Sequence, residues 1–267
     1  MKSANIKSVG IIGAGKIGGS LISRLSATED FDIMVSDVHE KQLIRFAEGY
    51  GVKTTTSNSE AAGESDLLIL AVKPWDVGTV LDEISPTLED REKAVVSVAA
   101  GVPISAIVPR LPEGAPVLRV MPNLCAAVGL GSAVVAANEP GGAYLETVMD
   151  IFRHVGDVIE LPERLFDAAT ALHGSGPAYV ALFADALIQA GVREGIPRDV
   201  ARRLVNGTIG GTAVLLKERA AHQIRDEVMT PGGTTAAAFV AMEKAGFVAA
   251  VYDGIQAATE QARRLAE

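Results

Sequence analysis

The feature that most constrains this chain is the hexapeptide Gly13-Ala14-Gly15-Lys16-Ile17-Gly18, which directly follows the apolar run Val9-Gly10-Ile11-Ile12. A strand before it and a helix after it are the context in which G-x-G-x-x-G is a dinucleotide fingerprint. Gly13 permits the tight turn, Gly15 lets a pyrophosphate approach the backbone, and Gly18 lets helix and strand pack closely. The helix that opens at Lys16 and Ile17 presents unpaired N–H groups to the anion. This fixes the first fold expectation, a Rossmann-like βαβ start.

The residues downstream extend that pattern. Short β-branched runs at Ile33–Ser36, Leu67–Val72 and Ala94–Val98 alternate with segments whose apolar residues recur every three to four positions, at Ile17–Ala27, Glu40–Glu48 and Val77–Leu88. Ser57–Ala62 starts a brief helix. Val117–Val120 and Gly131–Ala137 read as further strands with a Met121-Pro122-Asn123 turn between them, followed by a helix over Tyr144–His154 and a strand at Gly156–Glu160. The expectation is a mostly parallel sheet covered by helices.

After about residue 163 the pattern becomes nearly uninterrupted helix, rich in alanine and leucine and punctuated by glycine and proline. Candidate helices are Tyr179–Gln189, Pro197–Leu216, Glu218–Val228, Thr235–Ala245 and Phe247–Ala266. The predicted fold class is therefore α/β, with a dinucleotide-binding domain over residues 1–163 and an all-helical domain over residues 164–267. Ala178-Tyr179-Val180-Ala181-Leu182-Phe183-Ala184 is apolar on more than one helix face, which a small domain cannot bury alone. Association of two copies through this domain follows; a compact monomeric bundle is the alternative.

Composition narrows the function. Net charge is −9, and because residues 164–267 carry equal numbers of acidic and basic side chains, the excess lies in the first part. With aromatics at only 4%, the chain offers neither a basic stripe nor stacking platforms to nucleic acid. Cys125 is the one cysteine, and His39, His154, His173 and His222 are scattered, so no metal site is expected. Residues Met1–Ser8 are polar and the apolar run after them is too short for a signal peptide or a membrane span. A reducing, cytoplasmic setting is the expectation.

Asp37 stands at the end of the second strand, close to the roughly 20-residue spacing of the acid that hydrogen-bonds a ribose 2′-OH. It argues for NADH, whereas His39 and Lys41 nearby offer cations to the extra phosphate of NADPH. Ala71-Val72-Lys73-Pro74 ends a later strand at the carboxyl edge of the sheet, where ligands bind in open α/β folds. Lys73 is either a cofactor contact or an ordinary exposed lysine. Pro231-Gly232-Gly233-Thr234-Thr235 leads into Ala236-Ala237-Ala238-Phe239, a helix start whose free N–H groups and hydroxyls suit a small carboxylate or simply cap a helix well.

Taken together, Gly13-x-Gly15-x-x-Gly18, Ala71-Val72-Lys73-Pro74, Arg119-Val120-Met121-Pro122-Asn123, Gly174-Ser175-Gly176-Pro177-Ala178-Tyr179 and Thr230-Pro231-Gly232-Gly233-Thr234-Thr235 resemble the pyrroline-5-carboxylate reductase family over nearly the whole chain. The last two motifs are the specific ones. The resemblance implies reduction of 1-pyrroline-5-carboxylate to L-proline with NADH or NADPH. It also implies a homodimer interlocked through the helical domain, often built into rings of dimers. By resemblance, Asn58, Ala71, Val72, Lys73 and Pro74 contact the cofactor, Ala99 and Ala100 lie beside the nicotinamide, and Asn123 borders the same region. Glu218 would face the substrate ring nitrogen, while Gly233, Thr234 and Thr235 receive its carboxylate, and Ser175 belongs to the same pocket.

Departures from the family pattern are His173 and Thr230, where members commonly carry serine, and Asp37, where many carry a polar or basic segment. The implied substrate is a cyclic imine carboxylate whose protonated C=N carbon already accepts hydride, so positioning supplies much of the catalysis. Glu218 and Thr235 are the candidate catalytic residues, with a surface salt bridge in Lys217-Glu218-Arg219 competing for Glu218. Rival readings are a reductase of a related cyclic imine or of a small 3-hydroxy acid, and a non-catalytic NAD(H)-binding scaffold. The hydroxyacid enzymes place a catalytic lysine early in the helical domain, whereas here Lys217 is the first lysine after residue 163.

Overall fold

The computed structural model of the chain describes residues 6–28, 30–89 and 93–266. The polar leader residues 1–5 lie outside them. Eight strands form one sheet: β1 (Ser8–Ile12), β2 (Asp32–Ser36), β3 (Lys53–Thr55), β4 (Leu67–Leu70), β5 (Ala94–Ser97), β6 (Val117–Pro122), β7 (Gly131–Ala137) and β8 (Gly156–Glu160), in the order β3-β2-β1-β4-β5-β6-β7-β8. All neighbours pair in parallel except β6 with β7. Between them run α1 (Lys16–Leu25), α2 (Glu40–Tyr50), α3 (Asn58–Gly63), α4 (Val77–Ile84), α5 (Ile104–Ile107), α6 (Leu145–Arg153) and α7 (Phe166–Ala169).

The strands are short and apolar because both faces of the sheet are covered. Side chains alternate between two cores. Val9, Ile11, Leu67, Ile69 and Val96 join α1 and α6 on one face. Ile12, Leu68, Leu70 and Val95 join α4, α5 and Phe166 on the other. The period of two along β1 and β4 thus sorts every residue into one layer or the other. Because all five strands β1–β5 point the same way, the turns after β1, β2, β4 and β5 meet at one edge.

The chain divides into two compact units, residues 1–175 together with 258–267, and residues 176–257. Residues 164–175 pack with the sheet through Phe166, which is fully buried, so helical sequence alone did not mark the edge of the unit. The second unit holds α8 (Gly176–Arg193), α9 (Arg198–Leu215), α10 (Ala221–Val228), α11 (Thr234–Lys244) and most of α12 (Phe247–Ala266). Within residues 176–257 Ala201 alone is buried, and Val180, Leu182, Leu204, Val214, Val240 and Val251 each expose more than a third of their surface. Helices this apolar have no interior of their own to fill.

Several local expectations need correction. Met121 and Pro122 are the last residues of β6 and not a turn, since β6 pairs antiparallel with β7 as far as Pro122↔Ala133. Glu218 lies in the turn after α9, and α10 begins only at Ala221. β3 and α5 are too short to show a periodic pattern. No single helix among the described residues is long and apolar enough to cross a membrane; α11 and α12 reach the length only as a pair bent by 52°.

Candidate active site

The fingerprint turn is built by close backbone approach. Gly13 has φ +102°, and a Cβ there would stand 2.8 Å from the Ala71 carbonyl. A Cβ on Gly18 would stand 1.9 Å from the Gly13 oxygen, whereas one on Gly15 would meet nothing within 4 Å. The turn is tied to β2 by Gly13 N–H donating to Ser36 O at 2.8 Å, and β4 to β1 by Ala71 N–H donating to Ile12 O at 2.8 Å. Gly15 is the N-cap of α1 and no side chain caps that helix. The N–H groups of Lys16, Ile17 and Gly18 therefore lead from an open surface, an anion cradle of the kind a pyrophosphate fills.

Asp37 follows β2 and reaches back to this turn. Its Oδ2 accepts the Ala14 N–H at 2.7 Å, and its Oδ1 accepts the His39 N–H at 2.8 Å and lies 2.9 Å from His39 Nδ1. Partial burial pushes the carboxyl up, but the bonds from Ala14 and His39, with the charge of the His39 ring, outweigh it and hold Asp37 below the ordinary aspartate value. Asp37 is thus an anion at neutral pH, with both oxygens already engaged. Its side chain is 12% exposed and that of His39 75%. Lys41 is exposed on the first turn of α2.

The other residues expected at the cofactor gather at the same edge. Asn58 opens α3; its Oδ1 accepts Ser36 Oγ–H at 2.7 Å and its Nδ2 donates to Glu83 at 2.6 Å. That leaves one N–H and one lone pair for a ligand. Ala71 and Val72 border Gly13, and Lys73 with Pro74 begins the exposed turn beyond β4. Trp75, next in that turn, is 76% exposed, a feature the spacing argument passed over. Ala99 and Ala100 follow β5, the first buried and the second exposed.

Asn123, at the end of β6, is 9% exposed and works as a hub. Its Oδ1 accepts the N–H groups of Cys125 and Ser132, and its Nδ2 donates to His173 O at 3.1 Å. Arg119, four residues earlier on β6, was quoted from the sequence only as part of a motif and given no role of its own. It donates to Glu163 Oε1 at 3.1 Å and lies 4.8 Å over the Phe166 ring, while Glu163 also accepts the Ile104 N–H. No sequence signal marked Glu163 as its partner. Ser175 closes the π-helical turn Thr170–Gly174, its N–H donating to Thr170 O at 3.0 Å.

In the helical unit, Thr230–Thr235 forms a turn entering α11. Gly232 has φ +70°, and a Cβ on Gly233 would stand 2.4 Å from Thr230 Oγ1. Gly233 is the N-cap without a side-chain cap, and the first intrahelical bond is Ala237 N–H to Gly233 O. The N–H groups of Thr234, Thr235 and Ala236 are thus the orphan donors of this helix. Glu218 is exposed, and among the described residues it forms no ion pair; Arg219 pairs with Glu227 instead. The salt-bridge reading of Lys217-Glu218-Arg219 is thereby corrected. Among the described residues no group of three or more His, Cys, Asp or Glu is gathered in a way that could hold a metal.

Comparison with known proteins places both units. Residues 163–265 match the family model described as pyrroline-5-carboxylate reductase dimerisation, and residues 8–101 match NADP oxidoreductase coenzyme F420-dependent. The chain is 40% identical to a pyrroline-5-carboxylate reductase of Synechocystis, over 96% of this chain and 97% of that one. Among solved structures it is similar to a pyrroline-5-carboxylate reductase from Coxiella burnetii, with TM-score 0.93, 30% identity and full coverage of both chains. It is likewise similar to the Plasmodium falciparum pyrroline carboxylate reductase with NADP bound, with TM-score 0.86, 30% identity and full coverage of both chains.

Proposed function

The chain belongs to the pyrroline-5-carboxylate reductase family, and on that premise we propose that its two uncapped helix starts divide the work of one reaction. That reaction is reduction of 1-pyrroline-5-carboxylate to L-proline with NAD(P)H. When bound, the nicotinamide supplies the hydride. Gly13, Gly15, Lys16, Ile17 and Gly18 hold the pyrophosphate, with Asn58, the Ala71–Pro74 segment, Ala99, Ala100 and Asn123 completing the cofactor edge. The residues present fit the group, because Gly15 leaves open the space that Gly13 and Gly18 fill with backbone.

Thr234, Thr235 and the turn at Gly233 receive the substrate carboxylate through N–H groups and hydroxyls. Ser175 is a further substrate contact on this reading, and Glu218 stabilises the protonated ring nitrogen electrostatically. With the carboxylate and the iminium held at opposite ends, the ring carbon is oriented for attack and orientation supplies much of the rate. Functionally the chain divides at residues 163 and 164 into a cofactor part and a substrate part. Helices that expose Leu182, Leu204 and Val251 favour a homodimer through α8–α12, extended into rings of dimers. The single Cys125 suits a reducing cytoplasm.

One observation carries the reading: helix starts without a side-chain cap at Gly15, where the space is open, and at Gly233 occur in a chain that matches its relatives over nearly its whole length. Its test is oxidation of NADH and of NADPH by the purified protein on addition of 1-pyrroline-5-carboxylate, reporting kcat/KM for each cofactor. A fall of kcat/KM by at least about ten-fold in Thr235→Ala while cofactor still binds is the expected result. A parent protein that binds NADH yet reduces no cyclic imine would leave the scaffold reading standing.

A further inference from the structure

The loop that leaves β5 is tied at both ends. Val98 N–H donates to Leu70 O at 3.0 Å and Ala99 N–H to Ser97 Oγ at 3.3 Å, which fixes its start on the sheet. Its far end is Ile104, the first residue of α5, and the residue before that helix is Pro103, whose side chain offers no cap. The Ile104 N–H is instead accepted by Glu163 Oε1 at 2.8 Å, 59 residues away in sequence. The orphan donor at the start of α5 thus takes its partner from the segment after β8.

Glu163 is in turn held by Arg119, because the same Oε1 accepts Arg119 Nη1 at 3.1 Å. Arg119 pairs in register with Ser97, the last residue of β5, so its side chain springs from the strand position beside the loop's departure. That side chain is 5% exposed and its guanidinium lies 4.8 Å over the Phe166 ring. Its Nε is buried with no hydrogen-bond partner among the described residues. A buried cation with one donor unpaired is a poor source of stability, since apolar side chains of similar size often fill such a site equally well. What the pair supplies is direction. The cation fixes the carboxylate, and the carboxylate oxygen sets where the Ile104 N–H, and with it the end of the loop, must lie.

We propose that Glu163, oriented by Arg119, is a positioning residue that sets the loop of residues 98–103 against the nicotinamide and so fixes the approach of hydride to the ring carbon. Both side chains act through the Ile104 amide and neither is a substrate contact. The effect on turnover rests on the reductase reading above; the tie between Arg119, Glu163 and Ile104 does not.

The test compares the full-length parent with two variants, each shown to be folded by circular dichroism. Arg119→Met/Glu163→Leu removes both charges together, so no unpaired ion is left in the core, and deletes the acceptor of the Ile104 N–H. Glu163→Gln keeps an oxygen for that N–H and deletes only the charge. Measured are hydrogen exchange of residues 98–104 without cofactor, the NADH dissociation constant, and kcat and KM for 1-pyrroline-5-carboxylate. The double variant is expected to bind NADH within about three-fold of the parent, to exchange these amides at least about ten-fold faster, and to lose at least about ten-fold in kcat. Glu163→Gln is expected to keep the slow exchange and at least about a third of the parent kcat. A smaller loss of kcat in the double variant, or a loop that exchanges as slowly as the parent's, overturns the proposal. So does a glutamine variant as slow as the double variant, which would assign the loss to the missing charge and not to the bond with Ile104. Glu163→Ala, which removes the same acceptor, serves should the double variant fail to fold. Should the parent reduce no imine at all, the reductase reading fails while hydrogen exchange still decides the tie.

Discussion

Replacing Gly18 by alanine and, separately, Gly15 by alanine should split folding from cofactor binding within a single turn. On Gly18 the new methyl would lie 1.9 Å from the Gly13 oxygen, 3.1 Å from the Gly13 carbonyl carbon and 3.2 Å from Ala71 Cβ. The first distance is more than 1 Å inside the 3.0 Å approach that Cβ atoms tolerate. Gly13 has little room to retreat, because its N–H is bonded to Ser36 O and even a Cβ on it would stand 2.8 Å from the Ala71 backbone. Overpacking of this kind costs about 1–3 kcal/mol. Loss of the Gly13–Ser36 bond adds about 1 kcal/mol. At roughly 2–4 °C per kcal/mol, the melting temperature should fall by about 5–15 °C.

On Gly15 the methyl meets nothing within 4 Å, and φ −71°, ψ −158° suits alanine, so the melting temperature should move by no more than about 2–4 °C. The same methyl stands where a pyrophosphate would approach the α1 amides, so NADH affinity should drop at least ten-fold, about 1.4 kcal/mol. Thermal unfolding without cofactor, followed by circular dichroism, and calorimetric titration with NADH measure the two effects. If Gly15→Ala binds NADH as tightly as the parent, the open space at that turn is not the anion's seat and the cofactor assignment fails with it.

Other outcomes follow from the same geometry. Thr235→Ala should change stability by less than about 0.5 kcal/mol, since no hydroxyl caps α11, yet it should cut kcat/KM for the imine at least ten-fold at unchanged NADH affinity. Glu218→Gln should leave the melting curve in place, as its side chain breaks no ion pair, and raise KM for the imine; equal kinetics would remove it from the site. Asp37→Asn should shift the ratio of NADPH to NADH affinity toward NADPH by about ten-fold, or about 1.4 kcal/mol, as the carboxylate's repulsion is lost. Asp37 and Asp66 both sit below the ordinary aspartate value; for each, partial burial raises it and is outweighed, for Asp66 by the N–H groups of Lys7 and Ser8, the Ser8 hydroxyl and the charge of Lys93. Their stabilisation is full above the unfolded value of about 3.9 and is lost as pH falls through the lower folded values. Acid unfolding in the parent should therefore steepen below about pH 4 and be blunted when both residues are asparagine.

What could be read from the sequence was whatever repeats or carries a backbone demand. Short apolar runs at Val9–Ile12 and Leu67–Leu70 flanked by breakers, and the glycine fingerprint set between strand and helix, gave the sheet and the cofactor edge. What escaped was set by tertiary partners. The pattern at Met121-Pro122 looks like a turn because proline lacks a donor, but the antiparallel partner β7 needs none from Pro122 and the strand runs on. Glu163 takes its meaning only from Arg119 and the Ile104 amide, both remote in sequence. Helical composition after residue 163 hid the fact that Phe166 is buried with the sheet. Asp37 was placed by spacing alone, yet spacing carries no information on where a carboxylate turns, and here it turns inward to Ala14.

The two glycine N-caps show how far a motif can be taken as a site. Gly15 at α1 has open space where its side chain would be, as the proposed pyrophosphate seat requires. Gly233 at α11 is the reverse: its missing Cβ is taken by Thr230 Oγ1 at 2.4 Å, and a side chain there would break the turn before it could touch any substrate. Loss of activity in a Gly233 variant would therefore say nothing about carboxylate binding. The donors that remain are the amides of Thr234, Thr235 and Ala236 with two hydroxyls, and of these only the hydroxyls can be removed without altering the backbone. Thr230 in place of the family's usual serine keeps the oxygen that Gly233 packs against, which is why that departure leaves the turn intact. On the proposed reading the side-chain chemistry of this end of the site is that of Thr234 and Thr235, and a double Thr→Val replacement, which deletes both hydroxyls at nearly unchanged side-chain size, measures what they add beyond the amides.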